Sequence, residues 1–473
     1  MPKARRRRAT GARKAALTWV DENAEALCAI SDEIWRLTEP AFQEHESAGL
    51  LADAVEAQGF NVERAVAGMP SAFVASYGSG KPVVGILAEY DALPGLSQKP
   101  VPHREPLFEG ACGHGCGHNL LGAGSTGAVM AVSKALARTG ARGTVRLYGC
   151  PAEEGGSGKA YLVRDGCFSD VDVALHWHPG SRTRAMCYST LAVKRGKFRF
   201  RGLSAHAAGG PEQGRSALDA VELMNIGVNY LREHTPETSR LHYIITDGGE
   251  RPNIVPDLAE SWYYVRAPDM AQVDEILERV LDIARGAALM TGTDYEVDGI
   301  NGSYDVLPSE ALAKLIDRQL RRVGPPAFTE RELAFGRKLQ EAVAEDRGGE
   351  VGDNEQDDAA PVATDISPIE YGRHAGSTDV GDVSWVVPTG GLSTASRVLR
   401  TPGHSWPCTA TSGMSIGHKG MLVAAKVLCA TALELLSRPE PVKAAKRELA
   451  ERTARFAYSS PLSEGQTPPD RLD

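Results

Sequence analysis

GACGHGCGHNLLG, residues 110–122, is the stretch on which the reading of the chain turns. Two cysteines and two histidines alternate with glycines, Asn119 follows, and an apolar run then opens as a helix would. Thiolate and imidazole are the donors that borderline transition metals prefer. In Cys116-Gly117-His118 a single glycine separates sulfur from ring nitrogen, and glycine tolerates the dihedrals that aim both at one ion. Two arrangements stay open at this point. Cys112, His114, Cys116 and His118 close a structural zinc site, or one Cys-Gly-His forms half of an open catalytic site.

The rest of the chain narrows the choice. With 473 residues, 42% of them apolar and 24% charged, it has the make-up of a soluble globular protein of two or three domains. A formal charge of −9 argues against bulk attraction to nucleic acid or an anionic membrane. The exception is a basic arm over residues 3–14, with Arg5 to Arg8 in a row. It lacks the apolar centre of a signal peptide and reads as a disordered, solvated tail, a transit peptide being the weaker alternative. No apolar run reads as long enough to span a bilayer. Eight cysteines in a chain of this length do not suggest a disulfide framework, so a cytoplasmic location is expected.

Apolar periodicity predicts helices over 15–37, 47–58 and 120–139. PVVGIL, 82–87, is continuous enough for a strand buried on both faces, and it runs into Glu89-Tyr90-Asp91-Ala92-Leu93-Pro94. A strand over 143–148 delivers Glu153 and Glu154, a short helix covers 159–164, and a strand over 171–175 leads to His176-Trp177-His178-Pro179. Strand–loop–helix units of this kind predict an α/β fold, with a mostly parallel sheet and helices on both faces. Ligands gather outside the carboxyl ends of such strands. Asp91, Cys116, Glu153, Glu154 and His178 all stand just after a strand or just before a helix, which favours a catalytic site over an isolated zinc knuckle.

From about residue 190 the pattern changes. Strands at 191–200, 242–246 and 259–266, with helices at 215–232 and 271–291, predict an inserted α+β lid of roughly a hundred residues. The expected division is a catalytic domain over 1–190, a lid and dimerisation domain over 191–302, and the rest of the catalytic domain over 303–473. Further helices are predicted at 309–323, 330–344 and 412–436. Residues 346–364 read as an acidic mobile loop, and the last thirty or so as a peripheral tail.

Glu153 and Glu154 sit on a glycine-rich turn where both can face one cavity. One carboxylate can hold a metal while its neighbour takes a proton from water, the division of labour that metal-assisted hydrolysis needs. A bare Glu-Glu pair is more often two solvated loop residues; the flanking Cys-Gly-His and His-Pro segments shift the balance.

Taken together, these segments resemble the M20 family of metallopeptidases and amidohydrolases, in its Cys-Gly-His branch. The resemblance runs in order through Glu89-Tyr90-Asp91-Ala92-Leu93-Pro94, Gly115-Cys116-Gly117-His118-Asn119, Pro151-Ala152-Glu153-Glu154 and Trp177-His178-Pro179. It continues through Ser204-Ala205-His206, Asn253-Ile254-Val255-Pro256 and Ser377-Thr378-Asp379. It implies two divalent metal ions per subunit, zinc or manganese, held by Cys116, His118, Glu154, His178 and His404. It makes Glu153 the general base and Asp91 the group that fixes the tautomer of His118. In the lid it implies that His206 reaches the partner subunit's site, and that Asn253 and Arg266 hold the substrate's carboxylate. His176 and His418 are expected to be structural, and Cys112 and His114 to lie outside the site. One position departs from the wider family, which often places a histidine ligand where this chain has Glu89. The implied reaction is hydrolysis of the amide of a small N-acyl or N-aroyl amino acid, p-aminobenzoyl-glutamate the first expectation, and a dipeptidase or a general N-acyl-amino-acid deacylase the alternative. The implied assembly is a homodimer or a heteromer with a related, second chain, in which a non-catalytic subunit is the least favoured role.

Overall fold

A computed structural model describes residues 3–346 and 360–472, with side chains from residue 11 onward. Among the described residues, twelve strands fall into two sheets. Before the lid come β1 Asn61–Arg64, β2 Phe73–Ser79, β3 Val83–Ala88, β4 Gly143–Gly149, β5 Val173–Gly180 and β6 Arg184–Ser189. The lid carries β7 Ala192–Arg201, β8 Arg240–Asp247, β9 Leu258–Ala267 and β10 Asp294–Ser303, and the chain returns with β11 Glu370–Arg373 and β12 Thr389–Ala395.

The large sheet has the order β1-β2-β4-β3-β5-β12-β6-β11. Its centre, β4-β3-β5-β12, is parallel, while β1, β2 and β6 add antiparallel pairings toward the edges. Every residue of β3 is buried, as its unbroken apolar run predicts. The core lies between this sheet and the helices His118–Thr139 and Ser415–Ser437, with Leu121, Val129, Ile86, Leu175, Met421 and Leu428 at its centre. These two helices do reach the length and hydropathy of a membrane span, contrary to the expectation from sequence. However, 89% and 72% of their apolar windows are buried inside the fold.

The lid sheet is antiparallel, order β10-β7-β9-β8, with the helices Ala217–Leu231 and Met270–Thr291 packed on one face around Phe198, Phe200, Tyr263 and Val280. Its β-α-β-β-α-β connectivity is the split βαβ arrangement. Strand β10 was not foreseen: its exposed polar residues alternate along an edge, so only pairing with β7 reveals it.

Three further expectations are corrected. The basic arm is helical, within Lys3–Glu22, and the stripe Ala12, Ala16 and Val20 is buried against the main core. The C-terminal segment is not a peripheral tail: the helix Pro439–Thr453 buries Val442 and Ala445, and Leu462 is buried beyond it. The strand expected to end at 175 continues to Gly180, so His176 and His178 project from a strand rather than a loop. Most of the expected acidic loop, residues 347–359, lies outside the described residues.

Candidate metal centre

Strands β4, β3 and β5 are neighbours, and their carboxyl ends bring together residues far apart in sequence. β3 leads to Glu89 and Asp91, β4 to Glu153 and Glu154, and β5 carries His178. The fourth contribution comes from the amino end of His118–Thr139, where Gly117 adopts φ +84. A Cβ on Gly117 would stand 3.1 Å from Pro179, so glycine lets the Cys-Gly-His turn close onto the strand that holds His178.

The contacts are short and mutual. Asp91 Oδ1 accepts from His118 Nδ1 at 2.7 Å, and its Oδ2 accepts the Glu154 backbone N–H at 2.8 Å. One carboxylate therefore orients the imidazole and anchors the glutamate turn, which is how outer groups fix a metal-binding histidine. His178 Nδ1 donates to the Pro179 carbonyl at 2.8 Å, which leaves Nε2 turned to Cys116 Sγ at 3.3 Å. His404 Nε2 lies 3.3 Å from Glu154 Oε1, on a ring that is 56% exposed. His118 Nε2 lies 3.3 Å from Glu89 Oε2 and 4.0 Å from Glu153 Oε2.

Burial sets the charges. It is the first cause raising Glu153 well above the usual carboxylate range, with Glu89, Glu154 and Asp379 adding to it. Glu154 is raised as well, by burial against the pull of His118 and His404. Burial pushes the Cys116 thiol up and the His178 imidazole down to about 3. A bound cation opposes these shifts in the thiol and carboxyls and favours the neutral imidazole, because its charge is the largest in such a site.

The donors fit divalent ions. Among the described residues, three groups have all their ligand atoms within 4.8 Å of one another: Cys116, His118 and His178; Cys116, Glu154 and His404; Glu89, His118 and Glu153. Two fully buried atoms among them, His118 Nε2 and Glu154 Oε1, have no hydrogen-bond partner. A buried polar atom without a partner is costly, and a metal ion satisfies it.

The first Cys-Gly-His takes no part. His114 is buried with Nε2 on the Ile34 carbonyl at 2.9 Å, and neither it nor Cys112 enters a candidate group among the described residues. His418 pairs with Asp32 at 2.9 Å, and His176 packs against Gly391 of β12. His206 and Asn253 lie exposed on the lid, side by side, with the Ala207 N–H on the Asn253 carbonyl. Arg266 does reach the catalytic part, donating to Ser377 Oγ at 2.7 Å.

Sequence reasoning missed Lys159. It is fully buried, with Nζ 2.7 Å from Glu89 Oε1 and 2.6 Å from Asp379 Oδ1. Burial disfavours its ammonium, but the two carboxylates outweigh that and hold it charged. Glu89 in turn is held down at about 2: burial opposes ionisation, and Lys159 and His118 overcome it. At the position where the wider family often has a histidine, this chain has a carboxylate neutralised by a lysine.

Fold and donors together define a metal-dependent hydrolase whose site is built on a parallel sheet beneath an inserted lid. The chain matches the family model of peptidase family M20/M25/M40 over residues 85–345. It is 42% identical over 456 residues to one subunit of the p-aminobenzoyl-glutamate hydrolase of Escherichia coli strain K12, covering 93% of this chain and 95% of that one. It is 31% identical to the Xaa-Arg dipeptidase of Mus musculus, over 91% of this chain and 90% of that one. A solved Bacillus subtilis protein, a dinuclear metal-binding peptidase of family M20, shares the fold at a TM-score of 0.57 and 16% identity, over 88% of this chain and 99% of that one. The chain belongs to family M20 and is a metal-dependent amidohydrolase.

Proposed function

We propose that the protein hydrolyses the amide bond of an N-aroyl or N-acyl amino acid, with p-aminobenzoyl-glutamate as the first candidate. The observation that carries the reading is Glu153, a buried carboxyl of raised pKa beside groups of side chains that could hold metal, in a chain 42% identical to one subunit of a hydrolase of that substrate. Two divalent ions, zinc or manganese, would be held by Cys116, His118, Glu154, His178 and His404. When bound they supply Lewis-acid polarisation and lower the pKa of water to about 7.

The chain's own residues divide the remaining work. Glu153 takes the proton of the attacking water and returns it to the departing amine, a role that suits a carboxyl held above its usual range by burial. Asp91 keeps His118 in one tautomer and the Glu154 turn in place. Arg266, with Asn253, holds the substrate's carboxylate, since a guanidinium fork matches a planar anion. His206 stabilises the developing oxyanion. Because its ring is exposed on the lid, it acts on a second copy or on a related chain, in a dimer built through residues 191–302. The Escherichia coli relative is one of two differently named subunits of its hydrolase, which favours keeping a heteromer beside the homodimer. The compartment proposed is the cytoplasm.

A second reading, dipeptide hydrolysis, is favoured by the 31% identity to an Xaa-Arg dipeptidase. The two separate in one experiment: metal analysis of the purified protein, then a hydrolysis screen on aroyl-glutamates and on dipeptides ending in arginine. Preferential cleavage of the dipeptides would replace the first reading with the second.

A further inference from the structure

Among the described residues, two arginines face the junction of lid and catalytic domain without a carboxylate partner. Arg195, on β7, is 7% exposed. Its Nη2 donates to Ser157 Oγ at 2.5 Å, and its buried Nε has no partner. Arg266, on β9, has Ser377 Oγ as its hydrogen-bond partner. Their guanidinium carbons stand 5.4 and 5.7 Å from the centroid of one ring, Tyr264, because that residue pairs with Arg195 in register and lies two before Arg266. The next cations on the same face of β7 behave differently, since Lys197 and Arg199 both pair with Glu260. Among the described residues, Arg195 and Arg266 have only hydroxyls and an aromatic ring as partners.

That arrangement is expensive as it stands. A guanidinium does not shed its proton in a protein, and burying its charge against neutral groups carries a large desolvation cost. The two also repel: burial first and Arg195 second press the pKa of Arg266 downward. An anion between them removes both penalties. The position is adjacent to the chemistry. A Cβ on Gly155, which has φ +111, would stand 3.3 Å from Leu472 Cδ1, 3.7 Å from Arg195 Nη1 and 4.0 Å from the Tyr264 hydroxyl. Gly155 follows Glu154 directly, so Arg195 lies beside the turn that carries Glu153 and Glu154.

We propose that Arg195 and Arg266 together form a two-carboxylate subsite, which selects N-acyl amino acids whose amino-acid part is dicarboxylic, such as glutamate. This rests on the amide-hydrolase reading above and deepens it, Arg195 being the new specificity residue. Glutamate places three carbons between its carboxylates, so its two charges can meet two separate guanidiniums set around one tyrosine ring. A dipeptide ending in arginine would bring a third cation to this place and be disfavoured.

The test is calorimetric titration of the metal-loaded protein with L-glutamate and with L-glutamine, in the wild type, Arg195→Met and Arg195→Lys. Glutamate should bind the wild type roughly 10- to 100-fold more tightly than glutamine. Arg195→Met should erase that preference and leave glutamine binding unchanged. Arg195→Lys should retain part of it, because the charge survives without the fork; should Arg195→Met fail to fold by circular dichroism, this variant decides. No preference in the wild type, or the same glutamate-to-glutamine ratio in a folded Arg195 variant, overturns the subsite. Parallel assays on p-aminobenzoyl-glutamate keep the two readings apart. A wild type that prefers glutamate yet cleaves no aroyl-glutamate refutes the proposed substrate and leaves the subsite standing.

Discussion

The metal centre and the lid hold functional residues in opposite ways. At the carboxyl ends of β3, β4 and β5, carboxylates, thiol and imidazoles are buried and touch one another, so each residue's state depends on its neighbours. On the lid, His206 and Asn253 are exposed and hold their places chiefly through backbone hydrogen bonds, His206 Nδ1 accepting the Gly209 N–H at 2.9 Å. Residues of the first kind are gathered within one chain, whereas residues of the second kind face outward from it. Changes in the centre should therefore propagate through charge, while changes in the lid should be rescued from outside.

The largest effect expected is that of Glu153→Gln. Loss of a general base lowers turnover by about 10²–10⁴, and the carboxamide should leave metal content, measured by elemental analysis, unchanged. Near wild-type turnover would take Glu153 out of the chemistry. Lys159→Met comes next and is a change in stability. Removing one partner of a buried ion pair costs about 3–5 kcal/mol, here because Glu89 and Asp379 would face each other uncompensated. The urea midpoint should drop accordingly, and it should partly recover when Glu89→Gln is added. A loss below about 1 kcal/mol, the scale of a surface pair, would show that the network is not what holds the centre together.

The third expectation concerns the contrast itself. Glu153→Gln and His206→Ala, each inactive alone, should regain activity when mixed and allowed to exchange subunits. Random exchange makes half the dimers mixed, each with one intact site, so recovery should approach roughly a quarter of wild type. If exchange is demonstrated by mass and no activity returns, His206 does not serve a neighbour's site.

The smallest effect is a pH dependence at His418. Burial works against its charged form, but hydrogen bonds to Asp32 and Cys28 outweigh that and raise it to about 9. A raised pKa in the folded state gives stability that is full below the unfolded value near 6.5 and is lost as pH climbs through the folded one. The melting-temperature gap between wild type and His418→Gln should thus shrink from pH 6 to pH 10. Asp32 is half exposed, so the gap should be modest. A constant gap would mean that His418 contributes by packing alone.

What could be read from sequence follows from range. The Cys-Gly-His motif, the Glu153-Glu154 turn and the apolar β3 are local signals, and each stands where its neighbours in sequence imply. Lys159 was invisible because both its partners are distant in the chain, and nothing in Gly158-Lys159-Ala160 announces burial. The His-Trp-His-Pro segment looked like a loop because proline and histidine are poor strand formers, yet β12 pairs alongside it as far as Gly180. Nothing in the strand expected over 191–200 singles out Arg195; only its burial near a second guanidinium that, among the described residues, also lacks a carboxylate distinguishes it. The N-terminal arm misled through its four arginines, which masked a small apolar stripe at helical spacing.

The strand order carries a consequence for how the polypeptide is made. All four lid strands lie between Ala192 and Ser303, so that sheet can pair fully as soon as its own segment has left the ribosome. The large sheet cannot, because β12, one of the last strands synthesised, lies between β5 and β6, which precede the lid. Until residues 389–395 emerge, the inner edges of β5 and β6 lack their hydrogen-bonding partner, and open edges of that kind are templates for wrong pairing. During translation the lid is thus a finished unit hanging from an unfinished one, and the stretch carrying His178 is the part most in need of protection while the chain grows.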